Sequence, residues 1–354
     1  MKHLYKFICV YVTIASLLVV QPRTALAGNE DRVGQAGATE LLVNPWARSS
    51  GWANANSGSV RGVEAVFGNV AGTAFTKGTD VVFSHTIWLK GSDISINSFG
   101  LTQKLGESSV MGLAIMALDF GDIPVTTTDN PEGGLGTFSP RFMNINFSYS
   151  KIFSHSIYGG INVKIIDESI SNTSANGFAV DAGIQYVTGT NEDKDNIKFG
   201  ICLKNVGTPM RFGGDGLSTR VTTTSGYELT IEQRAADFEI PSLVNIGFTY
   251  DIHPAKDHRV SIAGTFNSNS FTQDQYCLGL EYGYKNMFMI RGGFTYENNI
   301  FDDNLRTTVF TGPAAGFTLE VPMGKSGKTF GVDYSYRATR PFDGTHSFGL
   351  RFSL

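Results

Sequence analysis

Phe330-Gly331-Val332-Asp333-Tyr334-Ser335-Tyr336-Arg337 and, after a short break, Ser347-Phe348-Gly349-Leu350-Arg351-Phe352-Ser353-Leu354 close the chain. Apolar or aromatic side chains stand at every second position, with glycine, serine or a charged group between them. A pleated strand throws successive side chains to opposite faces, so each stretch has one apolar face and one small or polar face. The pattern recurs upstream. Tyr276, Leu278, Leu280, Tyr282 and Tyr284 oppose Cys277, Gly279, Glu281 and Gly283, and Ile197, Phe199, Ile201 and Leu203 oppose Lys198, Gly200, Cys202 and Lys204.

Working back to Thr79, fourteen strands are predicted, at 79–90, 93–105, 108–119, 140–152, 155–166, 176–188, 194–206, 239–250, 259–269, 272–285, 287–297, 311–323, 327–338 and 343–354. Most run 10 to 13 residues, against about 5–6 in soluble sheets. A tilted strand needs about 9–11 residues to cross a bilayer. The polar face carries Lys164, Lys198, Glu281, Arg291, Glu320, Asp333, Arg337 and Arg351, which suits a lumen laced by ion pairs. Tyr250, Tyr284 and Tyr336 would sit at the membrane interfaces. Alternation breaks at Phe99-Gly100-Leu101 and Leu113-Ala114-Ile115-Met116; bulges or contact with an internal segment would explain it.

Loop lengths give a second test. The long connections, 120–139, 207–238 and 298–312, are the third, seventh and eleventh. All are odd, so all fall at one end of an up-and-down barrel. Outer-membrane barrels keep periplasmic turns short and outer loops long. The expected fold is an all-β, transmembrane, 14-stranded antiparallel barrel occupying 79–354.

Fourteen strands leave 28–78 outside the wall. From Gly34 to Gly72 that segment is rich in small residues, carries Trp46 and Trp52, and lacks two-residue alternation. It reads as a lumenal plug entering from the periplasmic side, with Arg48, Arg61 and Glu64 pairing with lumenal charges. Residues 1–27 have a basic start, an apolar run from Phe7 to Val20, and Ala25-Leu26-Ala27, the order of a secretory signal peptide.

Without residues 1–27 the chain has 25 basic and 32 acidic residues, a net charge near −7. That argues against a nucleic-acid partner. Outer-membrane lipid is the expected surround. Cys202 and Cys277 are too few for a disulfide scaffold. No Gly-x-Ser-x-Gly, His-Glu-x-x-His, Walker loop or Cys-x-x-Cys is present, so no enzyme, cofactor or metal site is expected. His253 and His258 read as a solvated turn, and Asp119 and Asp122 as turn acids.

At Glu40-Leu41-Leu42-Val43-Asn44-Pro45-Trp46-Ala47-Arg48-Ser49 the sequence resembles the PorV/PorQ family of the type IX secretion system in Bacteroidota, and is nearer PorV. The likeness continues through Asn69-Val70-Ala71-Gly72, Phe83 to Leu89, Asp119 to Ile123, and Leu203-Lys204-Asn205-Val206-Gly207. Family members often read Asn-Pro-Ala-Gly where Val70 stands here, which suggests a PorV-like subgroup. The resemblance implies a FadL-type barrel with a lumenal N-terminal segment. It also implies a non-enzymatic role: binding the C-terminal signal domain of secreted or surface-attached cargo and docking on the type IX translocon barrel (SprA/Sov-like).

On that reading Asp122, Ile123, Pro124, Leu135 and Phe138 of one outer loop, and Met210, Phe212, Tyr227 and Phe238 of another, are the candidate partner contacts. The opposing reading is that these side chains pack on each other and cover the barrel mouth. Asn44, Pro45, Trp46, Arg48, Trp52, Asn69 and Gly72 are the candidate plug residues. The alternative function is a FadL-like transporter of hydrophobic small molecules, with apolar plug and wall residues forming a pocket.

Overall fold

The structure is a computed structural model, and it describes residues 32–188, 196–324 and 327–354. The leader predicted at 1–27 lies outside the described residues. Fourteen strands form one closed antiparallel barrel: β1 (Thr79–Trp88), β2 (Ile94–Leu105), β3 (Ser109–Asp119), β6 (Arg141–Ile152), β7 (Ile157–Ile170), β8 (Thr173–Val187), β9 (Asn196–Gly207), β12 (Leu243–Ala255), β13 (His258–Asn269), β14 (Gln275–Tyr284), β15 (Phe288–Tyr296), β16 (Phe310–Pro322), β17 (Thr329–Thr339) and β18 (Thr345–Ser353). Each pairs with its sequence neighbour, and β1 pairs with β18 to close the ring. Two hairpins stand outside the wall: β4 (Ile123–Pro124) with β5 (Thr137–Phe138), and β10 (Ser218–Thr222) with β11 (Glu228–Glu232).

The wall's two faces follow the sequence alternation. Ile161, Ile165, Leu278, Leu280, Phe348 and Leu350 point outward and are exposed. A continuous apolar belt of this kind meets lipid rather than water. The predicted lumenal charges all point inward. Lys164 pairs with Asp181 (2.8 Å), Lys198 with Asp251, Arg291 and Arg259 with Glu281 (2.7 Å each), and Arg351 with Asp333 (2.7 Å). Buried charges persist in a low-dielectric interior when paired in this way.

The boundaries differ most in three places. β12 and β13 meet in a two-residue turn at 256–257, where an eight-residue connection is predicted. β7 and β8 meet in a two-residue turn at 171–172, where a nine-residue connection is predicted. The eighth barrel strand begins at Leu243, not 239, because 239–242 still belong to the loop. The β2–β3 pair runs in continuous register, Phe99 opposite Ile115 and Gly100 opposite Ala114, without the suggested bulges. Alternation of polarity is lost there for another reason. The lumenal residues Ala114, Met116 and Leu118 pack on Trp46, Val63, Val66 and Phe67 of the N-terminal segment, so both faces of β3 are apolar. A real irregularity lies at β8–β9, where Asp181 is skipped between Val180 and Ala182. Asn205, at φ 59°, completes that bulge, and both Lys204 and Asn205 turn inward.

Residues 32–78 fill the lumen as short helical turns. Trp46 is 1% exposed, edge-on to Phe67 at 5.9 Å. Wall hydroxyls hold the segment's carbonyls: Ser84 Oγ donates to Pro45 O (2.7 Å), Thr265 Oγ1 to Ala55 O (2.8 Å) and Thr295 Oγ1 to Ala53 O (3.2 Å). Close approach needs glycine on the wall: a Cβ on Gly279 would lie 2.6 Å from Trp52 Cε3. The segment spans the lumen from end to end. Its last residues meet β1 at the short-turn end. At the long-loop end Gly37 N–H donates to Glu239 O (3.1 Å), and Arg32 reaches Glu239 (2.9 Å) and lies over Phe271. A segment expected merely to enter from the periplasmic side therefore reaches the outer rim.

Candidate functional site

Two cavities flank one turn of the plug. The inner one, about 340 Å³, is lined by charged groups, including Arg48, Arg61, Glu64, Asp80 and Arg259. Glu64 is held by Arg351 (2.9 Å) and by Ser49 Oγ (2.8 Å). Arg61 stacks on Phe75 at 4.3 Å. Arg48 donates to Met289 Sδ (3.4 Å), where a carboxylate partner was expected. The helical turn carrying Arg48 points it at β15, whose lumenal position 289 is a thioether.

The outer cavity is larger, about 510 Å³, and its walls differ in chemistry. On one side, Asn245 of β12 stands opposite Asn267 of β13, and Asn267 opposite Gln275 of β14. Gln275 Nε2 donates to Glu297 Oε2 (2.9 Å), just past the end of β15. Because the pleat repeats every two residues, these groups form a continuous polar row across four strands. Burial pushes the Glu297 carboxyl above its ordinary range. The other side is aromatic. Trp88 of β1 meets Phe310 of β16 edge-on at 5.6 Å, and Phe120 meets Phe142 at 4.9 Å. The Arg337 guanidinium lies 4.0 Å over Phe310. Plug residues Asn54, Asn56, Ser57 and Phe67 form the floor, and Lys204 Nζ donates to Phe67 O (2.6 Å). Asn56 lines both cavities, so this single turn of the plug partitions them. Ala53 and Asn54 both adopt the left-handed conformation (φ 54° and 60°), a strained turn held by the wall around it.

Among the plug candidates, Arg48 and Trp52 line the inner cavity and Asn44 the outer one, while Pro45, Trp46, Asn69 and Gly72 pack away from both. Asn44 Oδ1 accepts the Trp46 backbone N–H (3.2 Å) and fixes the start of the helical turn that follows. Trp52 packs with Ala55, Ala263 and Cys277. Asn69 caps the turn Val70–Phe75, accepting from Ala71 N–H, and donates across to Ile184 O of β8 (3.1 Å). Gly72 approaches Ala65 within what a Cβ would occupy. Cys202 and Cys277 are free and buried.

The loop candidates divide. Tyr227 is 72% exposed on the β10–β11 hairpin beside exposed Leu229 and Ile231. Asp122, Ile123, Pro124 and Leu135 are exposed, with Ile123 paired to the half-buried Phe138 across β4–β5. Met210, Phe212 and Phe238 do not present a surface. Met210 is 1% exposed and packs with Ala38, Leu41 and Ile166, while Phe212 and Phe238 meet at a tilt with centroids 5.7 Å apart and pack on that cluster. Reciprocal backbone bonds between Met210 and Phe238 (2.9 Å each) fold this part of the loop over the mouth, where the plug's apolar end needs cover. His258 Nδ1 bonds the Tyr282 hydroxyl (2.7 Å), and Asp119 accepts the Gly121 N–H (2.9 Å).

Sequence reasoning missed the outer cavity. Its signal was present as polar amides at lumenal register positions 245, 267 and 275, but their alignment depends on strand pairing. Glu40 was quoted only within a motif. It sits buried at the plug's outer end beside the Glu168 carboxylate, and its carboxyl is pushed up to about 8, first by burial and then by that neighbour.

No family model matches the chain, and no curated protein matches it. Among solved structures it is similar to the Ralstonia pickettii toluene transporter TbuX, at 12% identity, covering 88% of this chain and 97% of that one, with a TM-score of 0.50. It is similar to the Pseudomonas putida toluene transporter TodX at 11% identity, covering 84% and 93%, with a TM-score of 0.50. A Pseudomonas aeruginosa FadL homologue gives 12% identity, 86% and 96% coverage, and a TM-score of 0.47. At these identities the first two likenesses show a shared fold. The chain is a closed 14-stranded antiparallel barrel of the fold that these two proteins share.

Proposed function

We propose that this chain is a non-enzymatic outer-membrane barrel that takes a hydrophobic or amphiphilic small molecule from outside into the cavity above the plug. One observation carries the reading: a space of about 510 Å³ with a wall built on Trp88, Phe310, Phe120 and Phe142, and a rim that includes the exposed Thr307. That size falls within the range of small-molecule sites, about 300–1,000 Å³. Two solved structures of the same fold are of proteins described as toluene transporters, which supports the same class of ligand here. Passage onward requires the turn carrying Asn56 to shift, since it separates the outer cavity from the charged inner one. Equilibrium binding of toluene by the full chain in lipid nanodiscs tests the reading. Saturable binding that weakens at least tenfold in Trp88→Ala is expected, and unsaturable partitioning equal to that of empty nanodiscs would refute it.

A second reading follows from the PorV/PorQ resemblance: docking of cargo signal domains and of the type IX translocon on the outer loops. Support comes from the exposed apolar row Tyr227, Leu229 and Ile231 on β10–β11, an unpartnered surface of the kind that marks protein contacts. Purification from native membranes tests it. Recovery of a β-rich cargo domain or a large translocon barrel with the wild type, and its loss in a Tyr227→Ser, Leu229→Ser, Ile231→Ser variant, would favour docking. Recovery of neither would remove this reading and leave the first.

A further inference from the structure

We infer that the outer cavity selects a hydroxyl-rich head group, a saccharide ring carried on an aromatic or aliphatic tail. The inference rests on the small-molecule reading above and specifies its ligand.

The cavity's polar wall leaves several amide oxygens unpaired. Asn54, Asn245 and Asn267 line it, and the Oδ1 atom of each is shielded from solvent and has no hydrogen-bond partner in the protein. Asn245 is itself more than nine-tenths buried. Buried polar atoms are nearly always paired, so a set of acceptors gathered on one cavity is a template for a ligand rich in donors. The acceptors come from two adjacent strands and the plug, so they face the space from its wall and its floor. A ring of hydroxyls matches several acceptors at once, which a pure hydrocarbon does not.

The opposite wall suits the other face of such a ring. The negative π-face of Trp88 attracts the positively polarised C–H bonds that a sugar presents above and below its plane. Phe120 and Phe142 continue the apolar surface and provide for the tail. An anionic head is less well served. Lys204 is already turned onto the Phe67 carbonyl, and Arg337 shares the cavity with Glu297. Arg337 Nε, without a protein partner, adds a donor for a ring or hydroxyl oxygen.

The test compares three ligands that share one aromatic ring: phenyl β-glucoside, benzoate and toluene. Affinities are measured calorimetrically for the full chain in phosphatidylcholine nanodiscs prepared without glycoside detergents. Phenyl β-glucoside is expected to bind at least tenfold more tightly than benzoate or toluene. The double variant Asn245→Leu, Asn267→Leu is expected to weaken the glucoside at least tenfold and leave toluene within twofold. Heat-modifiable migration on gels confirms that the variant barrel is folded. Should it not fold, Asn267→Leu alone carries the same expectation. Benzoate or toluene binding as tightly as the glucoside, or an unchanged glucoside affinity in the variant, overturns the inference. Binding of toluene without the glucoside sinks only the head-group assignment. Binding of none of the three sinks the small-molecule reading with it.

Discussion

Arg351 of the last strand holds Glu64 of the plug: its Nη2 lies 2.9 Å from Glu64 Oε1 and, at the same time, 2.7 Å from Asp333 Oδ2 on the neighbouring strand. One guanidinium thus ties the internal segment to the wall beside the β1–β18 seam. Removing it leaves two buried carboxylates facing each other. Arg351→Met is expected to destabilise the folded barrel by roughly 3–5 kcal/mol. A urea midpoint for unfolding from lipid vesicles checks this, and a midpoint equal to wild type would show that the pair bears no structural load.

Gly279 is the wall position against which Trp52 rests. Gly279→Val drives a branched side chain into the indole, an overpacking that costs about 1–3 kcal/mol. The expected outcome is displacement of the turn carrying Asn56 and intermittent current in planar bilayers where the wild type is closed. Deletion of 34–72 is expected to conduct continuously. A folded deletion barrel that stays closed would count against the plug.

Glu40 makes the plug's outer end pH-sensitive. Its carboxyl is raised from about 4.5 to about 8, so it binds its proton more tightly folded than unfolded. Its stabilisation is complete below about pH 4.5 and is lost as pH rises through about 8. Charge on Glu40 then faces Glu168. Hydrogen-exchange protection across 32–43, taken relative to the base-catalysed intrinsic rate at each pH, is expected to be lower at pH 9 than at pH 6, and Glu40→Gln is expected to abolish the difference. Equal protection in wild type at both pH values contradicts the assignment.

Met210 and Tyr227 lie in one loop and should answer differently to truncation. Met210→Ala empties a buried position over the plug and is expected to cost about 2–5 kcal/mol. Tyr227→Ser is expected to stay within about 0.5 kcal/mol of wild type. The same unfolding assay reads both, and an equal loss for the two would show that the hairpin is packed down.

The wall was legible because lipid on one side and a polar lumen on the other impose a strict two-residue period, and the final strands display it without interruption. Legibility failed where a lumenal face met the plug. On β3, Ala114, Met116 and Leu118 are apolar because Trp46 and Phe67 lie against them, and no local rule distinguishes that from a bulge. It failed again in the loop 208–242, where Met210 and Tyr227 look alike in sequence. What separates them is the apolar plug end at Ala38 and Leu41, far earlier in the chain, which Met210 helps to cover and Tyr227 does not. The amide row at 245, 267 and 275 has the same character: each residue is unremarked alone, and only register brings them together.

The cavity above the plug is the centre of the functional account, and a bromine label locates its occupant most directly. Crystals of the full chain soaked with 4-bromotoluene are expected to give one anomalous peak between Trp88 and Asn245. A peak in the charged inner cavity, or on the outer loops with none beside Trp88, would contradict it.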